Sequence, residues 1–351
     1  MSNREQHGLR GPVKTCVEET TYAGAIAADG RQLPEWKSRY ETEYGVDGRV
    51  ITRRTLNSDG SEWVIRYTYV GSGRLLKTAS GVEGETKTTT ETLYSYDDEG
   101  RVRNISDSSR PDNPVTFRYD ERGRKTKIQI SHPVDYRPNT AVAGSPFECA
   151  DRAPNLPGGG SATTAYDEHD RPTEVQVHDA RGELMSRAVR VYDAEGRVSE
   201  EQQILDNPET IIPVEAREEI LKSSGASLQE LREQLAKLMG GQAGPFAIAY
   251  RYDAEGRVRQ TQRRIFNEEH VIETTYNEHG DKATEVTRTR PIGSETEQST
   301  PGARLPSYSE VRYSYQYDRH GNWTEELVSW RSTPDGVFES STRRRRSLTY
   351  Y

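Results

Sequence analysis

Apolar and polar positions alternate along most of this chain with a period of two. Tyrosines take every second place in short runs: Tyr67 and Tyr69, Tyr94 and Tyr96, Tyr250 and Tyr252, then Tyr313, Tyr315 and Tyr317. That spacing puts the rings on one face of a pleated strand. Segments such as RVRNIS, PTEVQV and KATEVT alternate in the same way and read as strands. Between the strands stands a turn motif. YDAEGRV begins at Tyr192 and again, letter for letter, at Tyr252, with looser copies from Tyr44, Tyr69, Tyr96, Tyr119, Tyr166, Tyr276 and Tyr317. Most successive tyrosines of the series lie 23 to 27 residues apart, and the intervals of 47, 60 and 41 residues each contain an insertion.

The motif is turn chemistry. An Asp or Asn after the tyrosine hydrogen-bonds the backbone just ahead, and a Gly three places later accepts positive φ without steric cost. The residues assigned to these roles are Asp97, Asp120, Asp193, Asp253 and Asp318 with Gly100, Gly123, Gly196, Gly256 and Gly321. Tyr96, Tyr119, Tyr192, Tyr252 and Tyr317 are read as the seam between units, and Arg101, Arg197 and Arg257 as opening the next strand. Asp170 replaces the glycine in one copy, and Pro172 is expected at a strand start or edge. Further turns fall between the copies, at Asn57, His178, Phe266 and Pro334. The chain therefore reads as an all-β antiparallel meander of roughly sixteen to twenty strands, coiled into a ribbon, a solenoid-like wrap or a partly closed shell.

Residues 1–39 read as a lead-in strand region and 40–351 as the repeat domain. Insertions 131–163 and 291–307 read as loops. Insertion 209–243 reads as a helical hairpin: Ser227 and Glu230 form a capping box, and Leu228, Leu231, Leu235 and Leu238 recur at helical spacing. It is expected to pack on the sheet, with partner docking as the alternative.

Composition sharpens this picture. Only 32% of residues are hydrophobic and 30% are charged, whereas globular chains run nearer half apolar. Tyrosine (20) outnumbers phenylalanine (5), so much of the apolar surface carries a polar tip. Thin sheets with solvated faces or a hollow arrangement suit this better than a compact core. The net charge of −8 argues against a nucleic-acid partner. Arg343, Arg344, Arg345 and Arg346 read as a polar terminal strand that discourages edge aggregation. Cys16 and Cys149 are too few for a disulfide framework and read as two buried or free thiols rather than a single bridge. No apolar run reaches the length of a spanning helix, so no membrane span is expected. The N-terminus lacks a hydrophobic signal core, which suggests a cytoplasmic protein or one exported by another route.

With nine copies, four of them carrying the full Tyr-Asp-x-x-Gly-Arg core, the series resembles the YD repeat of the Rhs family, from about Tyr40 to the C-terminus. The resemblance implies a β-rich shell or ribbon at the cell surface or secreted. No segment matches the Asp- and Gly-rich core signature of that family, and no domain follows the last copy, so a toxin-carrying role is not implied.

Candidate chemistry is sparse. The turn aspartates Asp97, Asp120, Asp167, Asp193, Asp253 and Asp318 could form a calcium ladder if the hairpins stack in register, but the turn itself accounts for them. His169, His279 and His320 share one turn position and read as turn residues rather than metal ligands. The glycines at Gly158 lack the lysine and helix of a phosphate loop, and no nucleophile elbow or zinc-binding helix is present. No catalytic residue, cofactor or metal is therefore assigned. Trp63, Trp323 and Trp330 form a candidate ligand strip if one face is open. The function read from the sequence is a non-enzymatic scaffold or binding protein with a protein partner or cell-surface glycan. A carbohydrate-binding module and an unrecognised hydrolase are the alternatives, and the oligomeric state is left open.

Overall fold

The structure is a computed structural model that describes residues 2–26, 32–56, 60–71, 73–82, 90–108, 110–130, 147, 159–212, 214–238, 246–265, 268–292 and 307–351. Nearly all of the two loop insertions, with Cys149, therefore lies outside the described residues. The chain opens with a short helix, α1 (Asn3–Gln6), followed by β1 (Val13–Tyr22) and a two-stranded side hairpin of β2 (Ala25–Ile26) and β3 (Gln32–Leu33). Next come β4 (Trp36–Tyr44), β5 (Val50–Leu56), β6 (Glu62–Tyr69), β7 (Leu75–Val82), β8 (Thr90–Tyr96), β9 (Val102–Asp107), β10 (Arg110–Tyr119) and β11 (Lys125–Ile130). Then follow β12 (Gly160–Tyr166), β13 (Pro172–Asp179), β14 (Leu184–Tyr192) and β15 (Val198–Leu205), a 3₁₀ turn (Pro208–Ile211), and helices α2 (Val214–Ser224) and α3 (Leu228–Leu238). The last strands are β16 (Phe246–Tyr252), β17 (Val258–Ile265), β18 (Glu268–Tyr276), β19 (Lys282–Pro291), β20 (Ser307–Tyr317), β21 (Trp323–Arg331) and β22 (Glu339–Tyr350).

Apart from β2 and β3, every strand pairs antiparallel with the one before and the one after it, and β22 returns to pair with β1. The result is a closed twenty-stranded barrel, all-β and antiparallel as expected but not the open ribbon, wrap or partial shell. An open sheet of this size would leave two unsatisfied edges, and closure removes both. Each extensive strand contact is with a ring neighbour. At this strand number the lumen is too wide for side chains to fill, so a small apolar fraction is enough.

Nine hairpins share one rim, and each shows a register shift directly before its motif tyrosine, at Glu43/Tyr44, Arg118/Tyr119 and Arg251/Tyr252 for example. The bulge tightens the local twist that a closing sheet requires. Gly256 sits in its turn at φ +78, and a Cβ there would meet nothing within 4 Å. The demand for glycine at that site is thus conformational rather than steric. Asp170, at φ 63, is the one non-glycine residue with positive φ among those described.

The tenth position on this rim is where the chain begins and ends. Tyr351 N–H donates to the Pro12 carbonyl at 3.0 Å. Residues 2–12 then lie across the junction as a clasp. Arg4 N–H donates to Gly48 and Val50 N–H to Asn3 Oδ1 on one side. On the other side, Arg10 exchanges two hydrogen bonds with the Asn322 side chain.

Along β20, Val311, Tyr313, Tyr315 and Tyr317 are half-buried while Arg312, Ser314 and Gln316 are exposed. β22 alternates in the same sense, with Arg344, Arg346, Leu348 and Tyr350 sheltered and Arg343, Arg345, Ser347 and Thr349 exposed. Side chains crowd on the concave side of a closed sheet, so the tyrosine face lines the lumen. By register, Lys37, Arg39, Glu41 and Glu43 of β4 share the outward face with Arg343 and Arg345.

Among the described residues, two apolar clusters are buried. One joins Phe147 to Ala162, Val175, Val177 and Ala188, and the other joins Leu9 of the clasp to Val13, Cys16, Tyr44 and Val50. Beside the first, Glu201 is 2% exposed and bound by Arg190, whose Nε donates at 2.7 Å and whose guanidinium lies over the Phe147 ring. The Tyr250 hydroxyl donates to the other Glu201 oxygen at 3.1 Å. The helical hairpin rests on the 3₁₀ turn, with Leu231 buried and Arg232 bonded to the buried Glu209, while Leu228 is exposed.

Two stability predictions follow from this geometry. Glu201→Ala leaves a guanidinium in a sheltered site without its counter-charge and should cost about 3–5 kcal/mol in urea unfolding; a loss under 1 kcal/mol would contradict the buried-pair account. Gly256→Ala should cost about 1–2 kcal/mol because only the left-handed backbone opposes it, and Gly256→Asn clearly less. Equal costs for the two would point to a different cause.

Candidate functional site

The motif rim is built from a relay between neighbouring hairpins. Asp97 accepts Arg101 N–H on Oδ1 at 2.8 Å and Arg101 Nε–H on Oδ2 at 2.7 Å. The guanidinium so held lies 4.8 Å from the ring centre of Tyr119 in the next unit. Tyr119 in turn donates its hydroxyl to the Val102 carbonyl of the first unit at 2.9 Å. The same set recurs with Arg124 over Tyr166, Arg171 over Tyr192, Arg197 over Tyr252 and Arg257 over Tyr276. Partial burial pushes the Asp97, Asp120, Asp167, Asp193 and Asp253 carboxyls up, but hydrogen bonds from their arginines outweigh it and hold them below the usual range. These aspartates are engaged by turn and arginine. Among the described residues, no group of three or more His, Cys, Asp or Glu could hold a metal ion.

Two units lack the arginine, having Asp281 and Asn322 in its place. There a histidine supplies the ring contact. His279 stacks on Tyr317 at 3.9 Å, and His320 lies 4.5 Å from Tyr350. The Tyr317 hydroxyl donates to Asp281 at 2.7 Å, and that of Tyr350 donates to Asp318. His169, in a unit that keeps its arginine, is 66% exposed. The arginine–tyrosine contact escaped the single-strand reading because it joins residues about one repeat apart. The constant offset of Arg from Tyr was the signal that could have found it.

The tryptophans do not form the expected strip. Trp323 lies under the Arg346 guanidinium at 3.5 Å. Trp330 stands toward the other end of the same strand, and four strands separate it from Trp63. The structure instead groups Trp63 with Tyr40, a residue that sequence reasoning passed over. Register pairs Tyr40 with Thr55 and Thr55 with Trp63. The two rings therefore flank one threonine on the lumen face, about 10 Å apart across two strand spacings. Both are open to solvent, at 47% and 37%.

One residue pair nearer the clasp, Thr42 faces Arg53, which faces Ile65. Arg53 is exposed, and its polar partner among the described residues is His7 of the clasp, at 2.8 Å from Nε2. His7 Nδ1 lies 2.6 Å from the Tyr44 hydroxyl. Burial lowers the His7 pKa, and the charges of Arg53 and Arg346 lower it further. The imidazole is thus neutral, with Nε2 accepting from the guanidinium and Nδ1–H donating to Tyr44. Two cavities meet at this pair. One of about 430 Å³ is lined by Tyr40, Thr42, Thr55 and Arg346 among others, and one of about 620 Å³ by Arg49, Tyr67 and Tyr69. Cys16 lines the first, with its thiol pushed up to about 11 by burial. The site can thus offer an anion a guanidinium of fixed direction, and offer a ring two aromatic faces.

No family model matches the chain, and no curated protein matches it. Among solved structures it is similar to a porin-like protein from Bacteroides uniformis, at 10% identity over 97% of this chain and 99% of that one, with a TM-score of 0.34. A porin-like protein from Bacteroides vulgatus gives 11% identity over 97% and 98%, with a TM-score of 0.18. At these scores the likenesses carry no argument, and the architecture rests on the strand pairings.

Two expectations are corrected. With no family model matching and the strands closed into a ring, the resemblance to the Rhs YD-repeat family does not hold. The exclusion of a membrane span also falls, because it was argued from the length of apolar runs. No helix among the described residues is long and apolar enough to cross a membrane, but a closed barrel crosses with strands.

The clasp histidine makes stability depend on pH. Its folded pKa lies below the ordinary 6.5, so below pH 6.5 the unfolded chain takes up a proton that the folded site resists, and stability falls. The urea midpoint of the native chain should drop between pH 7.5 and pH 5.5, and His7→Gln should flatten that drop. An equal drop in both would show that another group is responsible.

Proposed function

We propose that this protein is a non-catalytic binding barrel that takes up a polar ligand on its lumen face beside the clasp. The observation carrying the reading is the grouping at Arg53, where the accessible Tyr40 ring and a directed guanidinium border a cavity of the size that small ligands occupy, with the accessible Trp63 ring across Thr55 from Tyr40. A general acid or base needs a pKa near the working pH. The rim carboxyls are instead held low by their arginines, burial raises the Cys16 thiol, and His7 is held neutral between two groups. These features suit recognition better than turnover.

The test is a thermal-shift screen of polar metabolites and oligosaccharides, repeated with Tyr40→Ala and Trp63→Ala. A true ligand at a hundred times its Kd should add about 2.7 kcal/mol of stability, and both substitutions should reduce the effect. If no polar compound shifts the midpoint, or the shift survives both substitutions, the reading is wrong. Chemical conversion of the bound compound would overturn the non-catalytic part.

A further inference from the structure

We propose that the occupant of this site is an anionic saccharide, its carboxylate held by Arg53 and its sugar faces by Tyr40 and Trp63. The proposal rests on the binding-barrel reading and names the ligand class.

The charge balance of the lumen face carries the first half. Three other arginines there are spent on carboxylates: Arg346 on Glu18, Arg344 on Glu326 and Arg190 on Glu201. Arg53 is not. It donates to a neutral imidazole, which fixes one edge of the guanidinium, and among the described residues its charge has no counter-ion. The remaining N–H groups match a carboxylate, which a guanidinium binds through two parallel hydrogen bonds. A single free guanidinium suits a singly charged group better than a phosphate chain.

The second half comes from what surrounds that charge. Tyr40 and Trp63 stand on either side of Thr55, close enough to Arg53 for one ligand to reach all three. Aromatic faces beside hydroxyl groups suit a sugar, whose C–H face is apolar and whose edge is polar. The half-buried Thr42 and Thr55 supply hydroxyls on the cavity wall. Tyr44 adds none, because its hydroxyl is taken by His7.

Isothermal titration of the full chain with a galacturonate trisaccharide, the neutral galactose trisaccharide and free acetate tests this, with Arg53→Gln, Arg53→Lys and Trp63→Ala as variants and the urea midpoint of each as a fold control. The uronate should bind at least tenfold more tightly than the neutral sugar, and acetate alone should not bind measurably. Arg53→Gln should bring the uronate down to the neutral sugar's level, Arg53→Lys should retain part of the preference, and Trp63→Ala should weaken both sugars. Equal binding of the two sugars, or uronate binding untouched by Arg53→Gln, overturns the assignment of the charge. Acetate binding as tightly as the uronate shows an anion site without a sugar and overturns the saccharide. If neither sugar binds while the screen has yielded another polar ligand, this proposal falls alone. If the screen yields none, the binding-barrel reading falls with it.

Discussion

Backbone pairing between the first and last strands is the constraint on which this structure depends. A sheet of twenty strands with so little apolar material has no core to hold it in shape, and its stability comes from a ladder in which each strand satisfies its neighbours. Such a ladder has two raw edges unless it closes. β1 and β22 remove them by pairing along almost their full lengths, with Glu18 and Arg346 bonded across the join. The clasp then ties turns on both sides of the seam. Much of the little apolar burial in the molecule, from Leu9 to Tyr44, is concentrated where the ring would otherwise part.

The rim relay does the complementary work. Each hairpin would be marginal alone, but each lends a guanidinium to its neighbour's ring and receives a hydroxyl on its own carbonyl. The contact passes from unit to unit, so a low apolar content is compatible with a single register. Where the arginine is missing, His279 and His320 take over the ring and the acid takes the hydroxyl. The requirement at that position is for a flat cationic or aromatic cover, and more than one residue type meets it.

The candidate site is a by-product of closure. Arg53 and Trp63 sit on strands that resemble the others, and nothing in their own hairpins singles them out. They become a site because the clasp carries His7 onto the lumen face and so gives Arg53 a direction without neutralising it. Arg53 has no carboxylate partner among the described residues, and two cavities meet at it.

The sequence by itself determined the local structure. Alternation set which residues share a face, and turn residues at fixed offsets, mostly Asp and Gly, set the nine turns of one rim, because both are short-range matters of backbone geometry and hydrogen bonding. Sequence also limited the strand count to a range that includes the twenty of the barrel. Only the tertiary structure decided that the meander closes, because closure depends on shear and twist accumulated over twenty strands and on pairing residues more than three hundred positions apart. It likewise decided that motif arginines serve the neighbouring unit, that Trp323 is covered while Trp63 is open, and that Tyr40 and Arg53 belong together. Those relations cross strands, and a period of two along one strand carries no information about what stands across the next.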